Sequence, residues 1–175
     1  RRVGVLISIA LFLVTFIVTP ISTLDPINIP KLWTLSGISF GVLGLLLTDI
    51  KVLANPKNRL IALTGVIFIF SLLMTVLTSD APITQQIFGS NGRNTGLLAY
   101  ISLAILFVGT ALASNLQTIR IFLYSVWSII CLNLIYCFIQ ALGNDPIKWS
   151  NPYAPVIGTL GNPDFASAFL GIGAS

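Results

Sequence analysis

The 175-residue chain contains no histidine, which removes the commonest general base and the commonest metal ligand. The residues left that could do chemistry are few and grouped. Residues 87–97 read IFGSNGRNTGL, a polar, glycine-rich stretch between two long apolar runs, with Arg93 near its middle. Gly89, Gly92 and Gly96, together with two asparagines, let the backbone turn sharply, including through positive φ. A helix is expected to start directly after it, with Asn94 or Thr95 as the N-cap. A guanidinium just ahead of free helix N–H donors suits an anionic group such as a phosphate. The plainer role for Arg93 is to snorkel to lipid headgroups and anchor the loop.

A second group lies at Asn133, Tyr136 and Gln140, spaced i, i+3, i+7 on one face of an apolar run. Amide side chains in hydrocarbon need partners, so this face should point into a bundle or a wet cavity. It would either wall a site near Arg93 or simply form hydrogen bonds between helices. Cys131 and Cys137 are six apart in the same run and turn to different faces. Neither a disulfide nor a paired metal site is expected of them, and both read as buried apolar thiols. No metal and no cofactor is expected. The apolar runs hold no mid-membrane acid, which argues against a proton-driven pump.

The elements that must position these residues are membrane helices. Hydrophobic residues make up 55% of the chain and charged residues 8%, and the mean hydropathy is +0.97, whereas a soluble domain carries about 25% charged residues. The net charge of +4 comes without a basic run interleaved with aromatics, so nucleic acid is not expected as a partner. The sequence predicts an all-α, polytopic transmembrane bundle forming one domain over residues 1–175. Its helices fall at about 3–19, 32–48, 60–78, 95–113, 121–142 and 163–175, five full spans and the start of a sixth. The chain starts at Arg1 and stops inside an apolar run, the pattern of an excerpt from a longer protein.

Local signals mark the ends of these runs. The uncharged run after Arg1 and Arg2 is too long for a signal-peptide core and lacks a cleavage site, and the paired arginines invite a twin-arginine reading, but that signal needs a folded soluble cargo and none follows. Pro26 and Pro30 separate the first two spans, with Pro30 suited to a first helical position. Trp33 is a natural interfacial anchor. Gly37, Gly41 and Gly44 share a side of the second span and would let another helix approach closely. Residues 115–120 read as a tight turn. Gly161, Asn162 and Pro163 open the last helix, with Asn162 as cap, Pro163 at the first position and Asp164 in the first turn.

Loop charges set the orientation. With the N-terminus in the cytoplasm, Arg1, Arg2, Lys51, Lys57, Arg59 and Arg120 lie inside, against Lys31, Arg93 and Lys148 outside. The positive-inside rule therefore favours this arrangement, which puts Arg93 and the loop after the fifth span outside.

Three motifs in order carry a resemblance: Phe88-Gly-x-x-Gly-Arg93-x-x-Gly96-x-x-x-Tyr100, Gln140-x-x-Gly143-x-Asp-Pro146, and Gly158-Thr-Leu-Gly-Asn-Pro163-x-Phe165. Together, and with the Ile29-Pro-Lys31 opening of the second span, they resemble the amino-terminal half of the O-antigen ligase and polymerase family over nearly the whole chain. Asp164 departs from the asparagine commoner there. The resemblance implies a membrane glycosyltransferase-like bundle of about a dozen helices acting at the outer face of the bacterial inner membrane. Such enzymes transfer glycan from an undecaprenyl diphosphate carrier to an acceptor, and Arg93 would then help hold the diphosphate. The family's catalytic histidine lies in a later half that these residues do not include. Two other readings stand beside this one: an accessory or structural subunit packing against other membrane subunits, and a transporter for a small anion such as inorganic carbon.

Overall fold

The computed structural model describes residues 2–19, 25–48, 51–52, 55–149 and 156–174. Expectations resting on Arg1, on residues 20–24, on Asp49, on residues 150–155 or on Ser175 lie outside the described residues. The rest is helical, with no strand among the described residues: α1 (Arg2–Phe16), α2 (Asn28–Thr48), the 3-10 turn η1 (Pro56–Asn58), α3 (Arg59–Thr78), α4 (Ile83–Phe88), α5 (Leu97–Leu112), α6 (Leu116–Ala141), the 3-10 turn η2 (Gly158–Leu160) and α7 (Pro163–Ala174). Three segments are long and apolar enough to cross a membrane: Asn28–Thr48, Pro56–Thr78 and Leu116–Ala141. Helices α1 and α5 are apolar but only 15 and 16 residues long. They rise about 22–24 Å against a hydrocarbon layer of roughly 30 Å.

Several boundaries move for local reasons. Helix α2 begins at Asn28 because the Asp25 carboxylate accepts the amides of Ile27 at 3.0 Å and Asn28 at 2.8 Å. Pro30 therefore sits third in the helix, still within the turn whose N–H groups have no helical partner. Helix α6 begins at Leu116, not 121, because Asn115 Oδ1 accepts the Thr118 amide at 2.9 Å and caps it. The turn before it shrinks accordingly. Asn94 and Thr95 do not cap α5. Asn94 is left-handed at φ 50°, and Gly96 holds the cap position without a side-chain bond.

The helices stand in the order α6, α1, α2, α5, α3, each packed on the next, with α3 outermost. Ile7, Val42, Leu46 and Ile105 form the core. Close approaches occur where a glycine meets a side chain of the neighbouring helix: Gly4 against Thr118, Gly65 against Val108, Gly109 against Val42 and Gly173 against Ile130. The Gly37, Gly41 and Gly44 side, expected to receive a helix, has nothing within 4 Å. Helix α2 instead turns Ser36, Ser39 and Val42 inward, and Ser102 of α5 donates to Ser36 at 3.2 Å. Small serines allow the same close packing and add a polar link. Cys131 is exposed, contrary to the expectation of two buried thiols, and only Cys137 is buried.

Candidate functional site

The polar residues gather at one end of the bundle, where residues 17–19, 25–27, 79–96, 142–149 and 156–162 meet. The glycine loop closes on itself. Gly89 ends α4 at φ 90°, and its amide donates to the Gln85 carbonyl at 2.8 Å. A Cβ on Gly96 would overlap the Gly89 amide and the Ile87 carbonyl, so the two limbs touch backbone to backbone. Between them the Ser90 carbonyl accepts the amides of Arg93 and Asn94, each at 3.1 Å. The Arg93 side chain is exposed and has no hydrogen bond or ion pair among the described residues.

Asp25 fixes this loop to the start of α2. Its Oδ2 accepts from Asn94 Nδ2 at 3.1 Å and from Asn28 Nδ2 at 3.2 Å. Asn28 Nδ2 also donates to the Gly92 carbonyl at 2.8 Å. The Trp33 and Phe88 rings pack at 6.1 Å. Arg93 is therefore carried by a loop with little freedom of its own.

One turn along α2, the Lys31 ammonium donates to the carbonyls of Thr159 at 2.6 Å and Thr15 at 3.2 Å. The Thr15 carbonyl belongs to the last turn of α1, whose carbonyls lack helical partners and carry the negative end of the helix dipole. That explains how a half-buried lysine sits here with no carboxylate partner among the described residues.

The α6 face is committed to the chain's own loops. Gln140 is 2% exposed. Its Oε1 accepts the amides of Gly158 at 2.8 Å and Ile157 at 3.1 Å, and its Nε2 donates to Asp145 Oδ2 at 2.7 Å. Tyr136 Oη donates to Asp145 Oδ1 at 2.9 Å, and Trp149 Nε1 lies 3.0 Å from Asp145 Oδ2 and 3.1 Å from the tyrosine oxygen. Asn133 is fully buried against Gly158, which has φ 57°, and its Nδ2 has no partner among the described residues. Beyond Gln140 the helix ends in a Schellman turn. Gly143, at φ 75°, donates to the Gln140 carbonyl and Asn144 to that of Ile139.

The Gly161, Asn162, Pro163 motif serves the same end of the bundle. Gly161, left-handed at φ 76°, packs against Ile27. Asn162 Oδ1 accepts the Asp164 amide at 2.8 Å, with Pro163 first in α7. The structure thus brings Asn133 and Gln140 against η2, joins Tyr136 to Gln140 through Asp145, and sets Gly161 on the start of α2. Arg93 joins them only indirectly, through Asp25, Asn28 and Lys31.

Asp145 has no lone pair to spare for catalysis. Partial burial pushes its carboxyl pKa up, but donation by Ile147, Gln140, Tyr136 and Trp149 outweighs this and holds it below the ordinary 3.8. A depressed carboxyl stabilises the fold fully above its unfolded value and loses that effect as pH falls through the folded one. In a variant whose Trp33 and Trp127 are phenylalanine, Trp149 emission is expected to stay constant down to about pH 4 and to shift red only below it. A shift complete by about pH 5 would rule out this clamp.

Asp25 and Asp145 are not among the candidate residues of the sequence analysis, yet a shared signal marks both. Each stands in an Asp-Pro-Ile triplet. In each, the Oδ1 accepts the isoleucine amide, at 3.0 Å for Ile27 and 2.9 Å for Ile147. The proline between them has no N–H to compete for the carboxylate. In both cases the other oxygen takes a side-chain amide from outside the triplet, from Asn94 or from Gln140.

The site thus belongs to an all-helical chain with helices long enough to cross a membrane. No family model, no curated protein and no solved structure matches it.

Proposed function

We propose that the chain is the amino-terminal membrane half of an O-antigen ligase-like enzyme, transferring glycan from an undecaprenyl diphosphate carrier to an acceptor. In this reading the bundle has five full spans and the start of a sixth. Its N-terminus is cytoplasmic, and its polar end faces the outer side of the bacterial inner membrane. The observation that carries the proposal is a guanidinium that is exposed and has no partner among the described residues, on a loop closed by Gly89 and Gly96 and tied to Asp25. The three resemblance motifs converge on the same polar end. An acceptor hydroxyl attacks the anomeric carbon of the sugar, the bond from that carbon to the diphosphate oxygen breaks, and the hydroxyl proton is released to water. Arg93 offsets the negative charge that develops on the leaving diphosphate.

In the full-length protein, Arg93→Ala is expected to lower glycan transfer about 100-fold, with Arg93→Lys recovering part of it because the charge remains without the fork. Unchanged transfer by the alanine variant would refute the role. A second reading, an accessory subunit, is favoured by the open Gly37, Gly41 and Gly44 side of α2, which suits a further helix.

A further inference from the structure

The end of the bundle opposite the glycine loop carries a second assembly. Helix α2 runs 21 residues from Asn28, at the polar end, to Thr48, about 31 Å, which matches a hydrocarbon layer of roughly 30 Å. Its far end therefore falls at the other membrane surface. There the last turns of α2 and α5 meet the first turn of α1 around a cavity of about 340 Å³, within the range of small-molecule sites, about 300–1,000 Å³. Val3, Leu45, Leu46 and Leu112 make its apolar wall, and Arg2 and Thr48 are its polar side chains.

Arg2 is exposed and has no hydrogen bond or ion pair among the described residues. The neighbouring helix ends do not claim it. The Leu45 carbonyl takes the Thr48 hydroxyl at 2.8 Å, the Ala111 carbonyl the Ser114 hydroxyl at 2.8 Å, and the Ala113 carbonyl the Asn115 side-chain amide at 3.3 Å. Last-turn carbonyls that would otherwise draw a cation are thus supplied locally. More positive charge surrounds the cavity. Lys51 precedes Val52 of its wall, and Asn58 Nδ2 donates to the Val52 carbonyl at 2.9 Å, which brings Lys57 and Arg59 to the same end. Gly4 packs on Thr118, so Arg120 lies there too. These basic residues are all exposed, whereas the described carboxylates, Asp25, Asp80, Asp145 and Asp164, lie at the polar end. Asp49 is outside the described residues.

We propose that this cavity holds an anionic phospholipid, its phosphate on the Arg2 guanidinium and the head of one acyl chain against Val3 and Leu45. The guanidinium fork matches two phosphate oxygens. Arg2 and Thr48 stand at the ends of their helices while Val3, Leu45 and Leu46 lie nearer the hydrocarbon. That order, cationic at the rim and apolar below it, is the order of a phospholipid from head to chain. Basic residues beside an anionic membrane surface each add to the attraction. A zwitterionic lipid brings its own cation among Arg2, Lys51 and Lys57, so the charge selects a net negative headgroup. A small anion from solution would meet Arg2 but leave the apolar wall uncovered. The inference needs only that the helices cross a bilayer, and it holds whatever chemistry occurs at the polar end.

The test uses the full-length protein in phosphatidylcholine nanodiscs doped with a diazirine lipid, either phosphatidylglycerol or phosphatidylcholine, the diazirine near the head of one chain. Phosphatidylglycerol is expected to label Val3 and Leu45 about tenfold over phosphatidylcholine. Arg2→Gln should cut that excess to about twofold or less. Thr48→Trp, which fills the mouth of the cavity, should remove it with Arg2 intact. Arg120→Gln, at the same end but outside the cavity, should change it by less than about twofold. All three positions are exposed, so the variants keep the fold. Equal labelling by the two lipids overturns the charge selection. An excess that survives Arg2→Gln or Thr48→Trp, or that falls as far in Arg120→Gln, means a diffuse basic surface and overturns the cavity. Loss of the label to soluble glycerol 3-phosphate means a site for a free anion and overturns the lipid.

Discussion

Gly96→Ala is expected to open residues 89–96 and to destabilise the protein by about 3 kcal/mol or more. The reason is space. Gly96 has φ −89°, a value any residue adopts, but its Cβ would overlap the Ile87 carbonyl and the Gly89 amide. Neither neighbour can yield easily, since both are backbone and the Gly89 amide already bonds to Gln85. Gly92 supplies the contrast. It has φ 82° with nothing within 4 Å, so Gly92→Ala should lose only about 1 kcal/mol to the strained backbone. Unfolding of both variants in mild detergent, with hydrogen exchange at residues 93–96, measures the difference. A Gly96→Ala protein as stable as the parent would mean that the two limbs do not touch.

The second large effect is expected at Gln140. Gln140→Leu keeps the side chain's bulk but strips the Ile157 and Gly158 amides of their acceptor. It also removes one of Asp145's donors. Two buried N–H groups left unsatisfied cost roughly 1–3 kcal/mol each, so a loss of about 4 kcal/mol is expected. Gln140→Glu restores the acceptor but sets a second carboxylate against Asp145, and should recover only part. Hydrogen exchange at residues 157 and 158 reads the clamp directly. Unchanged protection there in the leucine variant would show that Gln140 does not hold η2.

The helical character was legible because long uncharged runs leave the backbone no other way to satisfy itself in hydrocarbon. Which face of each helix packs was not. In a membrane the lipid side is as apolar as the core, so α2 offers the same composition to both, and Gly37 reads much like Gly65. Only the partner separates them: Val108 stands opposite Gly65, and none of the described residues stands opposite Gly37. The short α4 was hidden in a stretch too brief and polar to show a period. Gln140 was picked out as a polar residue in a membrane helix, but its acceptor role depends on amides 17 and 18 positions away, which no local pattern announces. The two Asp-Pro-Ile triplets were within reach, since the turn they make is purely local.

The Lys31 contact also bears on how the protein is made. Its ammonium meets the Thr159 carbonyl across 128 positions of sequence. During synthesis α1 and α2 emerge with that charge lacking its second acceptor and resting on the Thr15 carbonyl. The latch shuts only after α6 has been threaded and η2 follows it out of the ribosome. A nascent chain cut before Thr159 would therefore leave Lys31 resting on the Thr15 carbonyl alone.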